Sequence, residues 1–379
     1  MKKETDAEKI YLLHLLNCAL KEVQPCEKPD VADYNELFQL AKFHSVANLA
    51  YYAIERLEQQ PEAKLQKEWS EIRDMAVVKS LNQLTERDQI ITALTRAEIR
   101  ILPLKGCYIK EMYPQIDMRM MADLDILIHP GQAHEAKNVM ESLGYQTELF
   151  AHSNHDVYSK PPVMEVELHT HMFRKNSPYY DYYETIWEKA GTKHENLFLY
   201  ELSWDDFYVF LITHLAKHYY CGGSGIRSIM DIDIFLKAHQ DDIHEEYIRK
   251  ELEILNLWEF KQEVETIAAR WFADNDKITA LNRQEEYILS SGTYGTKGND
   301  IENNVLRLKG NAKTLKKAKI KYLLCRIFMN KKEMKKNYKI LNKFPFLLPF
   351  LWIYRLIHAL IKKRKKVIYE YRKIRKTQN

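Results

Sequence analysis

Between Pro178 and Pro345 the chain contains no proline. Proline inside a helix removes a hydrogen bond and clashes with the preceding turn, so this long stretch is open to uninterrupted helices. Glycine points the same way. There are 11 in 379 residues, well under the usual ~7 % and too few for a glycine-rich barrel or sandwich. Apolar residues make up 46 % and charged residues 29 %, a balance that buries a core and does not stay disordered. At roughly 150 residues per domain, the length allows two or three structural units.

Hydrophobic periodicity divides the chain. Ile10, Leu13, Leu16, Leu20 and Val23 recur at helical spacing over 6–22. Asp33 is placed to cap a second helix carrying Leu37, Leu40, Ala41, His44 and Val46, and residues 63–97 predict a long charged helix. The pattern then switches. Ile99–Leu104 is short and apolar, Lys105-Gly106 turns the chain, and Cys107–Tyr113 reads as a short helix. Asp123–Ile128 is a strand rich in branched residues. A helix follows from Pro130 to Gly144, then strands at Tyr145–Phe150, Asp156–Lys160 and Val163–His171. From Ser203 onward the spacing is helical again. The expected fold is α+β and predominantly helical, with a small mixed sheet between N-terminal and C-terminal helical units. The regions are 1–95, 96–190, 200–300 and a basic, partly amphipathic 305–379.

Five widely spaced cysteines without a C-x-x-C pair argue against a disulfide framework or zinc knuckle. The start, MKKETDAEKI, lacks an apolar signal core. The longest apolar run, Phe344–Tyr354, is interrupted by Pro345 and Pro349 and falls short of the ~20 residues of a membrane span. A cytoplasmic chain is the expectation.

The chemistry gathers around Arg119-Met-Met-Ala-Asp123-Leu-Asp125-Ile-Leu-Ile128. Side chains alternate across a strand, so Asp123 and Asp125 share one face while Leu124, Ile126 and Ile128 take the other. Two carboxylates ~7 Å apart along a strand suit hard divalent cations, Mg²⁺ or Mn²⁺. A third carboxylate on a neighbouring strand would complete a two-metal site. The stretch Glu165-Val-Glu167-Leu-His169-Thr-His171 offers one. A polar outer face on an edge strand would explain either pattern equally well; the order of elements favours a site.

On these residues the chain resembles a known family. Leu104-Lys-Gly106, Arg119, Asp123-Leu-Asp125 and Glu167-Leu-His169 are similar to the uncharacterised bacterial nucleotidyltransferases of the DNA polymerase beta-like superfamily. Ala41-Lys-Phe-His44-Ser-Val46, His214-Leu-Ala-Lys-His218 and Phe346–Arg355 extend the resemblance. It implies a minimal mixed sheet with helices on one side and Mg²⁺ on three carboxylates. It also implies transfer of a nucleoside monophosphate from an NTP to a hydroxyl acceptor. Asp123, Asp125 and Glu167 would be the metal-binding and catalytic residues, with Glu165 one strand step away. Lys105, Gly106, Arg119, His169 and His214 would contact substrate. The chain departs from the pattern in its turn. Gly106 precedes Asp123 by 17 residues, Lys105 stands where a small partner of the glycine is usual, and Ala122 replaces a frequent serine.

Other strings carry less. His214 and His218 stack one turn apart, as a metal site with Asp231, as a cleft lining, or as ordinary core and surface histidines. Asp231-Ile-Asp233 sits in helical spacing, where the two side chains diverge, and is no metal pair. The Gly292–Gly298 loop lacks the Gly-Lys-Ser/Thr of a phosphate loop.

Charge is uneven. Residues 305–379 hold 24 Lys/Arg and two acidic residues, while residues 1–304 hold 33 basic and 51 acidic. Lysines at 331–343, an aromatic apolar segment over 344–361 and Lys362-Lys-Arg-Lys-Lys366 form the two-signal pattern of an anionic membrane surface, at the inner face. Nucleic acid is the rival partner for 331–376, and packing on the body is the plain alternative. A non-catalytic membrane- or RNA-docking protein on this fold is the competing functional expectation.

Overall fold

The computed structural model describes residues 6–162, 164–193, 196–272, 278–310 and 314–377. It divides into two compact units. The first comprises residues 1–216 and 225–293, the second 217–224 and 294–379.

The first unit opens with helices α1 (Asp6–Lys21), α2 (Tyr34–Phe43), α3 (Ala47–Ile54) and α4 (Ala63–Arg96). Asp33 caps α2 through the Asn35 and Glu36 amides, as expected. The helix stops at Phe43, however, and does not carry Val46. Ser45 takes φ 53° and the chain restarts as α3. Strand β1 (Ile101–Pro103) leads through α5 (Gly106–Ile109) and a long loop to β2 (Asp123–Ile128). Then come α6 (Ala133–Ser142), β3 (Gln146–Leu149), β4 (His155–Lys160) and β5 (Met164–His169). Val163, the expected start of that strand, lies outside the described residues.

Short helices α7 (Tyr180–Tyr183) and α8 (Ile186–Lys189) precede β6 (Gly191–Lys193) and β7 (Asn196–Glu201). The sheet therefore runs past residue 190, where the sequence suggested its end. It has seven strands in the order β3-β4-β5-β2-β1-β7-β6. The β2–β5 and β1–β7 pairs are parallel and the others antiparallel. One face packs Leu124, Ile126, Ile128, Val166 and Leu168 against Ile90 and Leu94 of α4 and Ala136 and Met140 of α6. The opposite face carries the acidic side chains. Helices α9 (Trp204–Cys221), α10 (Ile226–His239), α11 (Glu245–Ile254), α12 (Trp258–Phe272) and α13 (Arg283–Leu289) follow. Asp231 and Asp233 fall on α10, the helix their spacing implied.

In the first unit, three distant segments meet on two glycines. A Cβ on Gly225 would lie 2.7 Å from His44 Nδ1 and against the Gly292 backbone. A Cβ on Gly292, at φ +60°, would strike the Phe43 ring at 2.7 Å. His44 is wholly buried. Its Nδ1 accepts from the Ile226 amide at 3.4 Å and its Nε2 faces Leu289 O at 3.0 Å. Burial lowers its pKa to about 4, so the ring is neutral, with the proton on Nε2.

The second unit contains α14 (Lys297–Gly310), α15 (Leu315–Ile327), α16 (Lys331–Asn337), α17 (Leu348–Lys362) and α18 (Arg364–Lys376). Ile301, Val305, Ala318, Tyr322 and Ile374 form its core. Those residues belong to α14, α15 and α18.

Candidate active site

The parallel pairing of β2 and β5 sets Asp123 opposite Glu165 and Asp125 opposite Glu167. Directly paired residues share a face, so all four point away from the apolar layer. Neighbouring β4 brings His155 opposite His169. Only this non-local register delivers His155, which the local sequence pattern gave no reason to select.

His169 is the hub. Its Nε2 lies 3.0 Å from Asp125 Oδ1 and 3.3 Å from Glu167 Oε2. His155 Nδ1 approaches the same Glu167 oxygen at 3.4 Å. Burial opposes a charge on His169, but the hydrogen bonds to Asp125 and Glu167 outweigh it and raise its pKa to about 9. The imidazolium in turn holds Glu167 below the usual carboxylate range. His155 is lowered, first by burial. Asp123 has no such partner. Burial, then the charges of Asp125 and Glu167, push it up to about 6. Glu165 is exposed, one strand step from the His169 cluster.

The long loop before β2 is fastened from below. Buried Lys110 donates to Ser80 Oγ at 2.8 Å and to Arg119 O at 3.0 Å. Gln83 Nε2 donates to Met121 O at 3.1 Å. These bonds from α4 and the α5 region fix the approach to Asp123. The Lys105-Gly106 turn lies beside the same strand end, because Leu104 N donates to Asp125 O at 3.0 Å. Gly106 is packed closely: a Cβ there would meet Met121 Sδ at 2.9 Å and Arg119 Nη1 at 3.4 Å.

One expected substrate contact, Arg119, is already engaged within the protein. Arg119 is only 4 % exposed. Its Nε and Nη2 donate to Asp231 Oδ1 and Oδ2 at 2.8 and 2.9 Å. Arg119, for which the sequence leaves a phosphate contact and a structural ion pair equally open, is held by a carboxylate of α10 and serves as a buried tie. Tyr113 donates to the same carboxylate at 3.0 Å, and Lys105 Nζ stands 3.8 Å from it. Burial works against the charge of Asp231, yet Arg119, Lys105 and Arg227 hold its pKa at about 2. Burial lowers Lys105 to about 8, against the pull of Asp231. His214, half-buried on α9, packs its ring 5.7 Å from Phe210.

Arg227 went unnoticed in the sequence. It donates to Met120 O at 2.8 Å and acts electrostatically on Asp123, Lys105 and Asp231.

The donor set fits a hard divalent cation. Three carboxylates on one strand pair offer oxygen ligands, and the structure already seats a positive group, the His169 imidazolium, between two of them. His155, Glu167 and His169 also lie close enough together to hold an ion among themselves.

A mixed sheet with a helical layer over its apolar face and acidic groups gathered on the other is an α+β architecture. The chain belongs to the uncharacterised nucleotidyltransferase family, matching it over residues 30–273. The solved structure of the antibiotic-resistance factor ANT(2'')-Ia is similar at a TM-score of 0.35 and 10 % identity. That match covers 50 % of this chain and 98 % of that one. The comparison with curated proteins found no match.

Proposed function

We propose that this nucleotidyltransferase moves a nucleoside monophosphate from an NTP to a hydroxyl acceptor in a metal-dependent reaction. Asp123, Asp125 and Glu167 would hold Mg²⁺ or Mn²⁺. The observation that carries this reading is the placing of the three carboxylates on one face of β2 and β5, with His169 as counter-charge to Asp125 and Glu167. Burial, and then the charges of Asp125 and Glu167, make Asp123 resist ionisation, a cost that a bound cation would relieve.

The bound cations would neutralise the triphosphate and the developing charge on phosphorus. The protein's share is positioning. Lys105 and the close-packed Gly106 sit at the strand end beside Asp125 and form the natural place for the triphosphate. Lys105 supplies charge that a serine would not. The acceptor oxygen forms a bond to the α-phosphorus, the α–β bridging bond breaks, and pyrophosphate leaves. The hydroxyl proton passes to Glu167. His155 and His169 hold that carboxylate in place through Oε2.

Titration calorimetry of Mg²⁺ with each NTP tests the assignment. Wild type should bind, and the Asp123→Asn/Asp125→Asn double variant should not, at unchanged helicity. Glu167→Gln should keep nucleotide binding and lose pyrophosphate release by at least ~100-fold, whereas Glu165→Gln should be mild. Equal binding by wild type and the double variant would overturn the site.

A further inference from the structure

Helix α17 exposes the kind of apolar stripe that a surface helix of a globular protein normally buries. Phe350, Ile353, Tyr354, Ile357, Leu360 and Ile361 recur at i, i+3, i+4, i+7, i+10 and i+11, a single stripe along one helix face. That stripe faces outward: the six side chains are 66, 58, 56, 50, 50 and 70 % exposed. No residue of the helix is buried. The side turned inward carries Leu351, Trp352, Arg355 and Ala359, all half-buried. Trp352 Nε1 donates to Met329 O at 2.9 Å and Arg355 Nη2 to Arg326 O at 2.7 Å. These bonds fasten the helix beside the end of α15 and hold the stripe in the open. Packing within the second unit does not account for that.

We propose that this stripe seats in the interface of an anionic lipid bilayer, with α17 lying in the membrane plane. Charge selects the occupant. The stripe is bracketed by exposed Lys339 and Lys343 on one side and by exposed Lys362, Lys363, Arg364, Lys365 and Lys366 on the other. Over 305–379 two acidic residues, Glu333 and Glu370, oppose 24 basic ones, and Glu370 is already paired with Arg326 at 2.7 Å. A second copy of this chain would bring like charges together at both ends of the stripe. Nucleic acid would use the lysines and leave six apolar side chains wet. An anionic headgroup layer over hydrocarbon satisfies both.

The segment Pro345–Lys362 is long and apolar enough to cross a bilayer, yet the second unit's own contacts argue for the in-plane arrangement. The chain entering α17 comes from α15 by way of α16. The chain leaving it forms α18, whose Ile374 packs with Ile301, Val305 and Ala318, while Lys319 Nζ donates to Arg375 O at 3.1 Å. Both ends of α17 therefore return to one helical core, which a spanning helix would have to split across the membrane.

Co-sedimentation of the full chain with vesicles tests this. Phosphatidylcholine vesicles with one third phosphatidylglycerol should pellet wild type at least tenfold better than pure phosphatidylcholine. Ile353→Glu/Ile357→Glu, and separately Lys362→Gln/Lys363→Gln/Lys365→Gln/Lys366→Gln, should each lower binding at least tenfold with unchanged circular dichroism. Trypsin added outside should still cut on the C-terminal side of α17. Asp123→Asn/Asp125→Asn should pellet like wild type, so the catalytic reading and this one can fail separately. Equal pelleting of wild type and the apolar variant overturns the proposal. So does protection of the C-terminus inside the vesicles, which would mean a span. Absence of vesicle binding also overturns it, whether accompanied by a dimer lost in Ile353→Glu/Ile357→Glu or by RNA binding indifferent to that variant.

Discussion

His169 lies between the carboxylates of Asp125 and Glu167, and this makes its proton part of the stability of the site. Its folded pKa of about 9 stands above the ordinary value of ~6.5. The stabilisation is fully present below pH ~6.5 and is lost as the pH rises through about 9. Urea denaturation of the metal-free protein should therefore show stability falling across that window, by on the order of 3 kcal/mol in all. His169→Gln should flatten the slope. Saturating Mg²⁺ should flatten it as well if a metal takes over the counter-charge. An unchanged slope in His169→Gln would place the responsible group elsewhere.

At the scale of elements, one tie joins the loop before β2 to α10. Arg119 and Asp231 are both buried and bind each other through two parallel hydrogen bonds. Removing one partner strands the other, which costs ~3–5 kcal/mol for a buried pair. Asp231→Ala should lose about that much by thermal or denaturant unfolding, and Asp231→Ala/Arg119→Met should recover part of it. A loss under ~1 kcal/mol would mean the pair is solvated. This tie also marks the limit of what the sequence could reveal. Asp123, Asp125 and Glu167 were legible because strand alternation is a local rule, and their apolar neighbours obeyed it. Asp231 was not, because its partner lies 112 residues away and nothing in α10's own spacing points to it. His155 became visible only once β4 paired with β5. Strand β7 was missed because Asn196–Glu201 has no buried alternate residues, so its period is blurred and only pairing with β1 makes it a strand.

At the scale of the whole molecule, the catalytic sheet is enclosed in sequence between helical segments that close on each other at His44, Gly225 and Gly292. Nothing soft surrounds Gly225: a Cβ there would press on a buried ring and on backbone. Gly225→Ala should cost ~1–3 kcal/mol or more through overpacking, read as a fall in denaturation midpoint with little change in slope. A neutral result would show that the junction can give way. The same junction carries a consequence in time. Ser45 bonds to Thr293 across 248 residues of chain, and His44 reaches Leu289 across 245. A ribosome adding about 5–20 residues per second needs roughly 10–50 s to span that gap. Until then α1–α3 are synthesised without their closing partner. The His44 imidazole, neutral and dry in the finished protein, stands in water with its ordinary proton affinity, and those first helices are what a chaperone at the exit tunnel would meet.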